Sequence, residues 1–251
     1  MIGGPVGFAE AQSALRETVH CHGVAIPLDR AAGPRIVTPA ILSAILSGTY
    51  EADEARFIPD IVEPGDRVLE IGAGIGVIST LTARCPEVEH IVAVEANPRL
   101  IPFIREVHAL NGVERVTVMN TLLAPGGSGR APFYLRRDFW MSSMSPGPEP
   151  YAERIEVEVS DLNALLRRER ISLVICDVEG AEAAIFSGAD LAGVDRIYVE
   201  LHDHLIGIAG IARLFGDMAA QGLAYDPRAS SRHVVLFRRI RADEPARAFR
   251  G

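Results

Sequence analysis

At 251 residues, with 48% apolar and 23% charged side chains, the chain suits one α/β enzyme domain with an extension and a large core. A net charge of −8 argues against nucleic acid as the main partner, and without a membrane-length apolar run or a leader the expected location is cytoplasmic, with no membrane partner. Three scattered cysteines, Cys21, Cys85 and Cys176, lack C-x-x-C spacing and signal neither a disulfide framework nor a zinc site.

In chain order, the apolar spacing of Phe8, Ala11, Leu15 and Val19 predicts a helix over 8–20, and 24–28 reads as a short strand. His20, Cys21 and His22 are adjacent rather than helically spaced, so they read as structural or solvated, not as metal ligands. Pro39 opens a second helix to Leu46, stopped by Gly48, and a third follows over about 52–62. The turn Pro64-Gly65-Asp66 leads into residues 67–77, Arg-Val-Leu-Glu-Ile-Gly-Ala-Gly-Ile-Gly-Val. Val68, Leu69 and Ile71 there form a buried strand, and Val77, Ile78, Leu81 and Ala83 one side of a helix. A second strand over 91–95 is followed by a helix to about Leu110, capped by Asn111-Gly112, and a third strand over 116–119. A fourth strand at 172–177 precedes a helix at 181–186, and a fifth at 194–201 precedes a helix at 208–220. Short strands at 222–225 and 233–238 close the series as an antiparallel edge. The alternation predicts an α/β fold, a doubly wound and mostly parallel seven-stranded sheet covered on both faces. Residues 124–150 interrupt it with Pro- and Gly-rich turns around Phe133-Tyr134-Leu135 and Phe139-Trp140-Met141. A β-excursion packed on the sheet edge and a substrate lid both fit that stretch. The tail from Arg238, with Arg239, Arg241, Arg247 and Arg250, reads as a solvated end.

A strand, a glycine turn and a helix make the first half of a nucleotide-binding βαβ unit. The dinucleotide fingerprint G-x-G-x-x-G fails here, because Val77 stands in the third glycine's place. The pattern present is Glu70-x-Gly72-x-Gly74-x-Gly76. A carboxylate there suits the cationic methionine end of S-adenosylmethionine and would repel a pyrophosphate. Glu95 ends the second strand 19 residues after Gly76, where it can accept hydrogen bonds from both ribose hydroxyls of an adenosine. Asn97 either touches that ligand or caps the following helix, and Asn120 sits where a polar group could meet the adenine edge.

The second informative stretch, Asp177-Val178-Glu179-Gly180-Ala181-Glu182, closes an apolar strand and opens a helix. Asp177 and Glu179 would face the glycine turn across the crevice at the strands' C-terminal ends, with Glu182 complementing the helix dipole. Alternation puts Glu200 and His202 on one side at the end of the fifth strand. A histidine titrating near neutrality suits proton removal from an acceptor hydroxyl. Carboxylates beside it also suit a divalent cation, but no metal site is assigned.

Gly48-Thr49-Tyr50-Glu51, the stretch from Val68 to Gly76, Val94-Glu95-Ala96-Asn97, Asp177 to Glu182 and Glu200-Leu201-His202 together resemble the FkbM family of S-adenosylmethionine-dependent methyltransferases. The likeness runs over about 41–237, and Asp-Val-Glu-Gly-Ala-Glu is its most specific motif. It departs from the family at Glu70 and Gly74, where Asp and Asn are frequent. The resemblance implies a Rossmann-like class I methyltransferase domain over 64–240, an N-terminal helical extension or cap over 1–63 and an Arg-rich tail over 241–251. It also implies methyl transfer from S-adenosylmethionine to a hydroxyl of a small molecule, a sugar or a secondary metabolite. The expected cofactor residues are Glu70, Gly72, Gly74, Gly76, Glu95, Asn97 and Asn120. His202, Asp177 and Glu179 would orient and deprotonate the acceptor, with His202 as the base. An NAD(P)-dependent oxidoreductase and a catalytically silent cofactor-binding protein stand as alternatives.

Overall fold

The computed structural model describes residues 17–28 and 35–241. The described chain opens with strands β1 (Thr18–Cys21) and β2 (Val24–Pro27), paired antiparallel. His22 and Gly23 join them with φ of 48° and 79°, the positive-φ pair of a two-residue hairpin turn. The expected 8–20 helix is corrected here: its last residues are strand, because that turn folds them back onto β2, and 8–16 lie outside the described residues. Helix α1 (Pro39–Ser47) starts at Thr38, whose hydroxyl accepts from the Ile41 amide, and stops at Gly48 in the left-handed region. Helix α2 (Ala52–Ile61) follows at once.

The central sheet is built from β3 (Asp66–Ile71), β4 (Val88–Glu95), β5 (Val116–Asn120), β9 (Leu173–Cys176), β10 (Arg196–Glu200), β11 (Leu223–Ser231) and β12 (Val234–Arg239). Its order is β11-β12-β10-β9-β3-β4-β5, with the five strands from β10 to β5 parallel and β12 and β11 antiparallel at the edge. Alternation along the strands supplies both faces. Leu69, Ile71, Val174 and Val199 turn toward a core with α5 (Leu162–Glu169), α6 (Glu182–Phe186) and α7 (Asp203–Ala220). Val68, Ile91, Leu173 and Ile175 turn the other way, onto Ile58 and Ile61 of α2 and Ile78 of α3 (Val77–Arg84). Helix α4 (Leu100–Leu110) packs beside them against α1 and the β1–β2 hairpin. Cys176 is a buried, free thiol inside the first core, as its apolar surroundings predict.

From β3 the chain turns one way, through α3 to β4, and β9 later enters on β3's other side. That reversal opens a crevice beyond the C-terminal ends of β3 and β9.

The stretch after β5 is more ordered than its sequence suggests. Strands β6 (Leu122–Ala124), β7 (Arg130–Leu135) and β8 (Glu153–Asp161) form a second sheet in the order β6-β8-β7. Phe133, Leu135 and Val157 give it a small core of its own against Ala96 and Leu122. The sequence reading passed over β8 and α5, although Ile155, Val157 and Val159 alternate and Asp161 caps α5 by accepting from Asn163 N. At the other end, the tail expectation is corrected for its first residues. Arg238 and Arg239 belong to β12, and Arg239 donates to the Val194 and Gln221 carbonyls. Arg247 and Arg250 lie outside the described residues. Among the described residues, no helix is long and apolar enough to cross a membrane.

Candidate active site

Gly72 leaves the sheet with φ of 89° because β9 runs too close for a side chain. A Cβ there would stand 1.7 Å from the Asp177 carbonyl oxygen. The Gly72 and Ala73 amides donate to Val94 O at 2.9 and 3.1 Å, which folds the turn over the end of β4. Gly76 then begins α3, with its own face against Ile104 and His108. The turn leaves bare backbone at Gly74, and a Cβ there would stand 3.1 Å from the Tyr50 hydroxyl.

A cavity of about 410 Å³ fills the crevice. Gly72, Gly74 and Glu95 line one part of it, and Asp177, Glu179, Glu200 and His202 line another. Tyr50, Phe139 and Trp140 form an aromatic wall, with Tyr50 stacked on Trp140 at a centroid distance of 6.1 Å. No Lys or Arg is among the lining residues.

The expected cofactor residues divide by position. Glu95 lies at the cavity floor, where its carboxylate accepts from Gly74 N at 3.0 Å and Asn97 N at 2.7 Å. Burial pushes it up to about 7, against the pull of those amides. Asn97 is buried and accepts from Arg99 N at 3.0 Å, so it shapes the approach to α4 and does not line the cavity. Asn120 donates to the Glu95 and Ala96 carbonyls at 2.9 and 3.0 Å, tying β5 to β4 from outside the cavity. Glu70 is buried on the α3 side of β3, and burial pushes it up to about 8 while Ser79 hydrogen bonds pull it down. It borders a small recess behind the glycine turn, shared with Glu51, Glu54, Asp177 and Glu200.

The acid and histidine residues meet as their strand-end positions predict. His202 Nε2 stands 3.7 Å from Asp177 Oδ1, 3.7 Å from Glu179 Oε2 and 3.9 Å from Glu200 Oε2. Its Nδ1 lies 2.7 Å from Glu182 Oε1, which also accepts from the His202 amide at 2.8 Å. Glu182 is fully buried, so its place in the first turn of α6 serves to hold His202 rather than only to complement the dipole. Burial pulls the imidazole pKa down, but the Glu182 hydrogen bond and the Asp177 and Glu179 charges outweigh it and lift the ring to about 9. That shift favours the protonated ring, which can donate a hydrogen bond from Nε2. Burial, then the Glu54 charge, pushes Asp177 up to about 7. Burial, then Asp177, does the same for Glu200, and Glu179 is raised by burial.

The sequence profile described as Methyltransferase FkbM domain matches residues 70–221. The chain belongs to the FkbM methyltransferase family. Its cofactor is S-adenosylmethionine. Solved structures similar to this FkbM methyltransferase include Trm5b from Pyrococcus abyssi, 14% identical with a TM-score of 0.49 over 89% of this chain and 55% of that one. The chain thus spans little more than half the length of Trm5b. TYW2 from M. jannaschii, in complex with AdoMet, is 14% identical with a TM-score of 0.44 over 90% of this chain and 87% of its own. Precorrin-6y C5,15-methyltransferase from Geobacter metallireducens is 13% identical, with a TM-score of 0.42 over 74% and 85%. No curated protein sequence matches the chain.

The residues of this FkbM methyltransferase fit the cofactor on two counts: the turn offers bare backbone at Gly74, and Glu95 presents a carboxylate to the cavity. Sequence reasoning missed Tyr50, Glu54 and Trp140 as cavity residues. Tyr50 and Glu54 flank the start of α2, and only the packing of α2 over the strand ends brings them to the crevice. The 124–150 stretch had already flagged Trp140 as part of either a β-excursion or a lid. The structure builds a small sheet from that stretch and puts Trp140 in the cavity lining.

Proposed function

We propose that this methyltransferase methylates a hydroxyl oxygen of a neutral small molecule, a sugar or secondary metabolite. The observation that carries the reading is the cavity itself. It joins Glu95 to a group of acids around His202 and has no Lys or Arg in its lining. An anionic acceptor such as a phosphorylated sugar or a nucleic-acid strand would meet mainly like charge there, because His202 is already surrounded by Asp177, Glu179 and Glu200. Bound S-adenosylmethionine supplies an already activated sulfonium methyl and leaves as the thioether.

What the protein adds is alignment and proton removal. Gly72, Gly74 and Glu95 hold the adenosine end, and Glu70 faces the methionine end from behind the turn. Gly76, Asn97 and Asn120 act one step back, by fixing the backbone that presents those groups. His202 Nε2 and Asp177 orient the acceptor oxygen. Glu179, a half-buried carboxylate open to the cavity, takes the hydroxyl proton and passes it to solvent. The Tyr50–Trp140 wall gives a flat apolar face against which a sugar ring or planar acceptor can lie.

Calorimetric titration with S-adenosylmethionine should give one saturable site. Labelled-methyl transfer across a panel of sugars and metabolites should then favour neutral hydroxyl acceptors over their phosphorylated forms. A phosphorylated acceptor methylated faster than its neutral parent would sink the reading.

A further inference from the structure

We infer that Asp177, Glu200 and His202 form a divalent-cation site at the acceptor end of the cavity, for a hard ion of the magnesium or manganese class. One donor atom from each of the three lies within 4.8 Å of the other two. His202 Nε2 is 3.7 Å from Asp177 Oδ1 and 3.9 Å from Glu200 Oε2. Donors that each stand about 2.1 Å from one shared ion lie roughly 3 to 4 Å apart, so the separations need little adjustment. Two carboxylates with one imidazole, and cavity space left for water or substrate oxygen, suit such an ion better than a thiolate-loving one.

An independent feature points the same way. Asp177 and Glu200 also line the recess of about 10 Å³ behind the glycine turn, the room of a single water-sized sphere. Glu70 borders that recess, is 3% exposed, and its Oε2 has no hydrogen-bond partner. Glu54, also on the recess, touches Glu200 carboxyl to carboxyl. A buried carboxylate oxygen without a donor is costly unless a cation lies near it. No Lys or Arg side chain lines either the cavity or the recess.

The second sphere is in place too. Glu182 Oε1 lies 2.7 Å from His202 Nδ1, which fixes the ring so that Nε2 faces the ion. Glu179 falls outside the three-residue set and stays free to receive the acceptor proton. Resting on the hydroxyl-methylation reading, the ion's part is to hold the acceptor oxygen and ease loss of its proton.

The test is equilibrium binding of Mn²⁺ alone to the full chain, followed by loss of the free-ion paramagnetic resonance signal. It is repeated with S-adenosylhomocysteine present and with Mg²⁺ as competitor. One Mn²⁺ per chain is expected, displaced by Mg²⁺, with affinity at least tenfold weaker in Asp177→Asn and in Glu200→Gln. Glu63→Gln, far from the crevice, should bind as the wild type does. His202→Gln supplies a third variant should either acid variant fail to fold, and thermal melting shows which variants are folded. No saturable Mn²⁺ binding, or undiminished binding in folded Asp177, Glu200 and His202 variants, overturns the site. Cofactor binding and methyl transfer are measured on the same protein, so an absent ion with intact hydroxyl methylation sinks this inference alone. Bound Mn²⁺ with no hydroxyl acceptor sinks the other.

Discussion

At the scale of single residues, Gly72 and Glu95 bear most of the cofactor argument, and each gives a measurable expectation. Gly72→Ala puts a Cβ 1.7 Å from the Asp177 carbonyl oxygen at a φ of 89°. Left-handed strain of about 1–3 kcal/mol adds to that clash, so the end of β9 must move. Calorimetry should show S-adenosylmethionine affinity reduced by more than about tenfold, with a lower melting temperature. Unchanged affinity would mean the cofactor sits elsewhere. Glu95→Gln removes the charge from an acceptor of two backbone amides. Hydrogen bonds to charged groups are worth about 1.5–3 kcal/mol, so affinity should fall roughly tenfold to a hundredfold. Both residues could be read from sequence because a strand end and a glycine turn fix where their backbone goes. Glu182 could not be read in the same way. Its hold on His202 depends on α6 meeting the end of β10, a contact twenty residues apart that no local pattern encodes. The upward shift of the His202 ring could not be read from sequence for a related reason, since it follows from Glu182, Asp177 and Glu179 on the stretch after β9.

Among elements, α4, α3 and β3 are joined under the glycine turn by His108, Ser79 and Glu70. His108 Nε2 is 3.0 Å from Ser79 Oγ, and burial holds the ring at about 4, well below an ordinary histidine. The folded protein thus keeps His108 neutral while the unfolded chain protonates it near 6.5. Its contribution is fully present above about pH 6.5 and is lost as pH falls toward 4. Melting temperature should decline across that window, and His108→Gln should flatten the decline. An equally steep decline in the variant would clear His108 of the effect. The aromatic turn after β7 gives a different signature. Trp140 stacks on Tyr50 and lines the cavity, so Trp140→Ala should raise the acceptor KM about tenfold, more than it weakens cofactor binding. The elements missed from sequence, β8 and α5, lie just past a run of prolines and glycines. That run breaks the periodic reading ahead of the alternating Ile155, Val157 and Val159, and pairing with β7 and β6 completes β8.

For the whole molecule, alternation along the chain foretold a parallel sheet covered on both faces, but not the strand order that makes the crevice. That order comes from long-range pairing, β3 between β4 and β9, which leaves no local mark. The same sheet separates stability from chemistry along its strands. At the N-terminal strand ends, Arg196 is 3% exposed and donates to Asp66 Oδ1 at 2.6 Å and to the Ile61 carbonyl at 3.1 Å. Asp66 also accepts from the Ser172 hydroxyl at 2.6 Å and from the Glu63 amide at 2.7 Å, so one buried pair ties α2, β3, β9 and β10 together. The cavity lies at the opposite ends, four residues up β10 from Arg196, or about 13 Å away along the strand. Arg196→Ala leaves the Asp66 carboxylate buried without its cation, a lesion that typically costs about 3–5 kcal/mol. The melting temperature should then fall by on the order of 10 °C. Arg196→Met keeps most of the apolar stem but not the charge, and should fall nearly as far if the ion pair, rather than packing, is what matters. Below the melt, both variants should bind S-adenosylmethionine within about twofold of the wild type, because no cofactor residue leans on this pair. Weakened cofactor binding in a fully folded variant would show instead that the two ends of the sheet are coupled.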